Sequence, residues 1–320
     1  MGLSDNFGRP LFNLRISVTQ QCNYNCTYCH REGEVKPANS GNTCVEMTSD
    51  EIIYLAKLAI DLGVTRIKLT GGEPLMRPDI CQIVEGIAGL SGLKDLSLTT
   101  NGYLLYNTAQ ALHDAGLSRV NISLASLNPE NYQTITGGGV IDKALAGVKA
   151  AVNAGFNPVK LNMVLLKNIN VSDVPDMILY AEKMGIVLQL IELDPVNVSR
   201  DYYLQHHCNL KEQEEMLQKR AIYTKQRQFM HNRIIYHLSN VNVEVVHPVE
   251  NTDFCMHCTR LRITSDGKLK PCLMQNNKLT DILTPMRQGA GDEELLQLFK
   301  QANQLREPYN KNHNQHKLLL

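Results

Sequence analysis

Along residues 14–192 the hydrophobic positions switch repeatedly between two periods. A short stretch with every second residue apolar is followed each time by a longer one with apolar residues three and four apart, the signature of a strand and then a helix. Residues 14–19 form the first such strand. Thr48 and Glu51 have the spacing of a capping box and open a helix with an apolar stripe of Ile52, Ile53, Leu55, Ala56, Ala59 and Ile60, which stops at Gly63. The unit then recurs. Residues 64–70 precede a helix from near Pro78 through Ile87; residues 96–99 precede one reaching Gly116; residues 120–123 precede one ending near Gly155. Residues 159–166 precede a helix ending at Gly185, and residues 186–192 are the sixth strand. Repeated units of this kind predict parallel strands, right-handed crossovers and external helices.

The two parities of these strands differ in chemistry. One is aliphatic (Leu14, Ile16, Val18; Ile67, Leu69; Leu96, Leu98; Val120, Ile122; Leu161, Met163) and predicts the face covered by helices. The other is polar or cationic: Arg15, Ser17, Thr19; Lys68, Thr70; Ser97, Thr99; Asn121, Ser123; Lys160, Asn162. A closed eight-stranded barrel fills its lumen with branched apolar side chains. A wet, basic interior instead predicts an α/β fold built as an incomplete (βα)6 TIM-like barrel, open enough to take a polar anionic ligand. The plainer reading of the same residues is strand ends facing solvent.

Beyond Glu192 the rhythm breaks, which sets a division into residues 1–195 and residues 196–320. Residues 201–233, rich in Gln, Lys, Arg and Tyr, read as loop plus helix, and short strands follow near residues 234–246. Residues 260–270 read as a hairpin turning at Asp266-Gly267. From Asp292 onward the pattern gives one helix and a polar tail without chemistry.

With 320 residues, 43% of them hydrophobic, the chain is long enough to bury a large core. Lys plus Arg and Asp plus Glu number 32 each, so no global field favours nucleic acid or an anionic membrane, and any anion site must be local. The N-terminus carries no apolar signal core and no run reaches membrane-spanning length, which makes the cytoplasm the expected location.

Six of the nine cysteines fall into two triads, and the hairpin returns Cys272 to the Cys255/Cys258 pair. Cys22, Cys26 and Cys29 follow the first strand, in the loop at its C-terminal end, where active sites of βα folds are built. Three thiolates can hold three corners of a cuboidal iron-sulfur cluster and leave one iron open. A zinc site is the alternative at each triad, completed by His30 at the first and by His257 or His247 at the second. Cys44, Cys81 and Cys208 read as ordinary thiols.

The spacing Cys22-x3-Cys26-x2-Cys29 with Tyr28 before the third cysteine, and Gly71-Gly-Glu-Pro74 after the second strand, resemble the radical S-adenosylmethionine superfamily. Gly8-Arg-Pro10, Thr99-Thr-Asn-Gly102 and the second triad with Arg260 and Arg262 narrow this further. Over nearly the whole chain the sequence resembles the GTP 3′,8-cyclases, lyases of molybdenum cofactor biosynthesis. The resemblance implies two 4Fe-4S clusters, one on each triad, with residues 1–195 as the radical barrel and residues 196–320 carrying the auxiliary cluster. It implies that S-adenosylmethionine chelates the first cluster and yields a 5′-deoxyadenosyl radical. That radical takes the ribose 3′ hydrogen of GTP, and the product is (8S)-3′,8-cyclo-7,8-dihydroguanosine 5′-triphosphate. It assigns Tyr28, Gly72 and Ser123 to S-adenosylmethionine, and Arg15, Lys68, Thr99, Lys160, Arg260 and Arg262 to GTP. An external one-electron donor is implied as partner, and monomer and homodimer both stay open. Lys68 stands where an arginine is usual, Gln189 and Asp194 replace an arginine and a methionine, and the chain ends His316-Lys-Leu-Leu-Leu320 without a double glycine. The five cations Arg15, Lys68, Lys160, Arg260 and Arg262 have no matching inward carboxylate on the predicted strands, and a triphosphate supplies the missing charge. A radical enzyme acting on a peptide and a zinc-stabilised binding module without catalytic activity are the competing readings.

Overall fold

The computed structural model describes residues 2–34 and 46–309. Cys44 and the C-terminal residues 316–320 lie outside them. The alternating segments form β1 (Asn13–Ser17), β2 (Arg66–Thr70), β3 (Asp95–Thr100), β4 (Arg119–Ser123), β5 (Val159–Leu165) and β6 (Val187–Glu192), each parallel to the next. The predicted aliphatic parity is buried throughout; Ile16, Leu69, Leu98, Ile122 and Leu161 are all inaccessible. Against this face pack α1 (Ser49–Asp61), α2 (Ile80–Ala88), α3 (Leu105–Asp114), α4 (Pro129–Thr136), α5 (Ile141–Asn153) and α6 (Val174–Met184). The capping box at α1 is formed: Glu51 N donates to Thr48 Oγ1 at 3.3 Å and Thr48 N to Glu51 Oε2 at 2.8 Å. The single helix expected before Gly155 is two, because Gly137 ends α4 in the left-handed conformation at φ 69°.

The later chain extends the sheet on both flanks. It adds β7 (Tyr223–Arg227), β8 (Arg233–His237), β9 (Asn242–Val246), β10 (Arg260–Ile263), β11 (Lys268–Lys270) and β12 (Thr280–Asp281). The order is β12-β11-β10-β1-β2-β3-β4-β5-β6-β9-β8-β7, so one twelve-stranded sheet carries both halves of the chain. β9 runs parallel to β6 and β10 parallel to β1, while β7/β8, β8/β9 and β10/β11 are antiparallel. The hairpin turning at Gly267 is present, with that residue at φ 71°.

Two stretches differ from expectation. β7 falls where loop and helix were predicted; it is an edge strand with exposed, polar residues, so no alternation of burial is written into it. The tail after Asp292 is not inert. Arg306, 1% exposed, donates to the carbonyl of Cys258 at 2.5 Å and lies 3.6 Å from Asp5, while Glu307 and Tyr309 reach the cavity described below. Among the described residues no helix is long and apolar enough to cross a membrane.

The close approach of α5 to the turn after β3 depends on one missing side chain. A Cβ on Gly147 would stand 2.2 Å from the carbonyl oxygen of Gly102, itself at φ 81°. Alanine in a helix interior is ordinarily favoured over glycine by about 1 kcal/mol. Here the clash reverses the sign, and Gly147→Ala is expected to destabilise by about 1 to 3 kcal/mol, as overpacking does. A lowered urea midpoint at unchanged m-value checks this.

Candidate active site

The inward parity of the sheet, the cysteine loops and the last described residues wall one cavity of about 330 Å3. Both thiol triads line it, as do the three residues assigned to S-adenosylmethionine and the six assigned to GTP.

The first triad is shaped by backbone contacts. Cys29 N donates to the Cys26 carbonyl at 3.2 Å, closing a turn, and Asn25 N and Thr27 N donate to Thr136 and Ile135 at the end of α4 at 3.1 and 2.9 Å. The loop after β2 lies directly on this segment: Gly72 N donates to Thr19 O and Glu73 N to Gln21 O, both at 2.7 Å. A Cβ on Gly72 would sit 2.1 Å from the Gln21 carbonyl, so the Gly-Gly pair is what lets the two backbones meet beside Tyr28 and the thiols. Glu73 then fastens the next loop, accepting from Thr100 Oγ1 and Asn101 N at 2.7 Å each. Burial pushes its carboxyl up to about 7.

The donor sets suit clusters. Burial and then its two neighbouring thiols push Cys26 up to about 12, and burial raises Cys22 and Cys29. Such thiols become thiolates only when a cation takes the proton's place. At the second triad burial and the neighbouring thiols push Cys272 up to about 11, whereas burial of Cys258 is outweighed by Arg306, Arg260 and Arg9 and its thiol lies below its usual value. Among the described residues no three His, Cys, Asp or Glu side chains converge as they would on a single ion. A cuboid that takes one thiolate per iron asks for wider spacing than one shared zinc. Of the histidines of the zinc alternative, His30 Nδ1 accepts from Glu32 N at 3.0 Å, His257 Nδ1 lies 3.2 Å from Asp253 and His247 Nε2 lies 3.0 Å from Glu214.

The expectation of unmatched cations is corrected by two carboxylates. Glu32, three residues past Cys29, accepts from Arg15 at 3.2 Å, from Thr70 Oγ1 at 2.8 Å and from Arg262. Burial would raise this carboxyl, but Arg15 and Arg262 outweigh it and hold it far below the usual range. Glu244 on β9 accepts from Lys160. It was legible in principle, because Val243 and Val245 are buried on the other face and parity turns Glu244 inward. Glu32 sits on an irregular turn at φ 52°, where no periodicity could reveal it.

Lys68 and Arg260 have no carboxylate within ion-pair distance among the described residues; Lys68 Nζ donates to Asn121 Oδ1 at 2.9 Å. Burial, then Arg15 and other cations around the cavity, push both well below their ordinary values. Arg15 Nε, Thr99 Oγ1 and Asn162 Oδ1 are buried at the cavity without a hydrogen-bond partner among the described residues. A dense set of cations and orphaned polar atoms fits a polar anion. Sequence reasoning also missed Arg119, Arg227 and Arg233, which line the same cavity.

A family model described as the Radical SAM superfamily matches residues 16–181, and one described as Molybdenum Cofactor Synthesis C matches residues 186–312. A probable GTP 3′,8-cyclase of Thermococcus kodakarensis is 47% identical, the match covering 96% of this chain and 99% of that protein. The chain belongs to the GTP 3′,8-cyclase family. A probable GTP 3′,8-cyclase of Methanocaldococcus jannaschii is 43% identical, covering 96% of this chain and 99% of that protein. The radical SAM fold recurs in the crystal structure of Streptococcus suis SuiB bound to S-adenosylmethionine, with a TM-score of 0.61 at 18% identity, over 82% of this chain and 60% of that one. Native anSMEcpe with bound AdoMet gives a TM-score of 0.56 at 17% identity, over 84% of this chain and 76% of that one.

In this family member, removing the Glu32 charge leaves two buried guanidinium groups facing each other. Glu32→Gln is expected to destabilise the protein by about 3 to 5 kcal/mol, the usual effect of stripping one partner from a buried pair. Added inorganic tripolyphosphate should restore more thermal stability to the variant than to the parent. Equal shifts in the two melting curves would show that Glu32 does not compete with an anion for these arginines.

Proposed function

We propose that this chain is a GTP 3′,8-cyclase that converts GTP to (8S)-3′,8-cyclo-7,8-dihydroguanosine 5′-triphosphate, the first step of molybdenum cofactor biosynthesis. The observation that carries this reading is a single cavity walled by both thiol triads and by the cations of β1, β2, β5 and β10. The two parts of the chain divide the work. Residues 1–195 hold one 4Fe-4S cluster on Cys22, Cys26 and Cys29, and residues 196–320 hold a second on Cys255, Cys258 and Cys272. When bound, the first cluster would supply the electron, drawn from an external donor, that splits S-adenosylmethionine into methionine and a 5′-deoxyadenosyl radical, and that radical would take the ribose 3′ hydrogen of GTP and end as 5′-deoxyadenosine.

The protein's own groups do the positioning. Gly72 lets the loop after β2 lie on the cysteine segment and offers backbone to S-adenosylmethionine, with Tyr28 and Ser123 beside it. Lys68 and Arg260, half-buried and without carboxylate partners among the described residues, take phosphate charge as the guanidinium and ammonium donors of Arg15, Arg262 and Lys160 turn from Glu32 and Glu244 toward the substrate. Thr99 and Asn162 add uncharged hydrogen bonds. Charge-assisted bonds of this kind in a dry site are strong and directional. On this reading the protein works in the cytoplasm.

Two outcomes test it. After anaerobic reconstitution, the parent protein given S-adenosylmethionine, dithionite and GTP should form the cyclic nucleotide and 5′-deoxyadenosine together. With Cys22, Cys26 and Cys29 all replaced by alanine, both products should vanish and bound iron should fall by about half; 5′-deoxyadenosine from that variant would sink the assignment of the first triad. In the second test, Arg260→Ala and Lys68→Ala should each weaken GTP binding about tenfold to a hundredfold at fixed salt with iron content unchanged. Unaltered affinity in both, by equilibrium titration, would remove these residues from the substrate site.

A further inference from the structure

The hairpin of β7 and β8 closes on an unusual pair. Its innermost residues before the turn, Arg227 and Arg233, stand directly opposite each other in the antiparallel register. Like charges so placed repel. Both belong to the cavity wall and both converge on Glu244: Arg227 Nη1 donates to Oε1 at 2.9 Å, and Arg233 Nη1 lies 3.6 Å from Oε2. Lys160 shares the same carboxylate. The inward residue of β6 at this level, Gln189, pairs in register with Glu244 and donates to it without adding charge. Three cations therefore face one carboxylate, a surplus of two positive charges.

That surplus sits in a desolvated wall, where the side chains of Lys160, Arg233 and Glu244 are 7%, 9% and 2% exposed. Burying unneutralised charge is costly. Arg227 is the more open of the two arginines at 27%, and the structure gives it one hydrogen bond, through Nη1, among the described residues. Arg233 is further tied by Nε to the Met230 carbonyl at 2.9 Å.

The hairpin is also held in place at some conformational cost. His231 and Asn232 take left-handed backbone angles of φ 63° and 55°. In return the tip docks beside the second triad: His231 N donates to the His257 carbonyl at 3.2 Å, Thr259 Oγ1 donates to the Phe229 carbonyl at 3.1 Å, and the His231 ring stacks on Phe254 at 4.0 Å. A strained turn anchored at this point fixes two opposed arginines at the cavity.

We infer that Arg227 and Arg233 form a polyphosphate subsite on the β6 side of the cavity, with Glu244 as the internal counter-ion that spaces them and Lys160 when no anion is bound. The identity of the anion as the phosphate chain of GTP rests on the function proposed above; the subsite itself rests on the charge surplus. β6 contributes only a neutral amide here, and the hairpin supplies the positive charge from outside the barrel.

The test uses the anaerobically reconstituted protein in equilibrium titrations with inorganic tripolyphosphate, GTP and guanosine at fixed salt. Arg227→Gln should weaken tripolyphosphate and GTP about tenfold or more while guanosine binding is unchanged, and Arg227→Lys should recover most of the loss. Arg233→Gln should act in the same direction; should it fail to fold, the more exposed Arg227 decides the matter alone. Unchanged tripolyphosphate and GTP affinity in Arg227→Gln would overturn the inference and leave the arginines as partners of Glu244 only. Equal loss of guanosine binding would also count against it, as general distortion. Parent protein that binds tripolyphosphate but not GTP, with the Arg227 dependence intact, would remove the nucleotide reading and keep the subsite.

Discussion

Glu32 is the residue on which the two ends of the chain meet. It stands three positions after the last cysteine of the first triad, and it joins Arg15 on β1, Thr70 on β2 and Arg262 on β10. β10 comes from the C-terminal part, a few residues after Cys258, so one carboxylate couples the segment that carries the first triad to the segment that carries the second. Such a shared ion centre is demanding: in a low dielectric each charge is tolerated only while its partners hold position. The consecutive left-handed residues Arg31 and Glu32, at φ 48° and 52°, bring the carboxylate to that spot. The relative placement of the two triads is thereby tied to the same buried charges that line the cavity.

The remaining architecture follows from a sheet that is apolar on one face and charged on the other. The outward face is covered by helices and behaves as an ordinary core of Leu, Ile and Val. The inward face cannot be closed by packing, because cations on adjacent strands do not interdigitate as branched aliphatics do. The sheet instead extends past β1 and past β6, and the added strands bring both further cations and the acid that partly neutralises them. Glu244 arrives on β9, and Arg227 and Arg233 on the hairpin beyond it. The extension is therefore a second set of walls for the same lumen.

What could be read from the sequence was whatever repeats. The six parallel strands, the capping box at Thr48 and the inward direction of Arg15, Lys68 and Lys160 are all consequences of a period of two or of 3.6, and a short window of residues reveals them. The hairpin at Gly267 declared itself through turn chemistry. What stayed hidden depends on contacts between distant residues. β7 is an edge strand that buries almost nothing, so its alternation carries no hydrophobic signal. Glu32 lies on an irregular turn whose purpose is visible only when β10 is beside β1. Arg306 follows a helix in a polar stretch, and nothing local shows that its guanidinium ends on the Cys258 carbonyl.

The same contrast explains why the cation count from sequence pointed the right way for an incomplete reason. An excess of inward positive charge was visible on the strands, and the acids that answer it were not, since one came from a loop and the other from a strand outside the repeat. With both in place the lumen is neither a bare cation cluster nor a neutral ion-pair network. Arg15 and Arg262 share one carboxylate, Lys160, Arg227 and Arg233 share another, and Lys68 and Arg260 have none among the described residues. A wall with more donors than acceptors is held together by its carboxylates while the site is empty of anion, and it presents the surplus to whatever anion enters. Preorganisation of this kind reduces the reorganisation required on binding. On the function proposed above, selectivity for a highly charged substrate lies in the arrangement of pairs, beyond the number of basic residues.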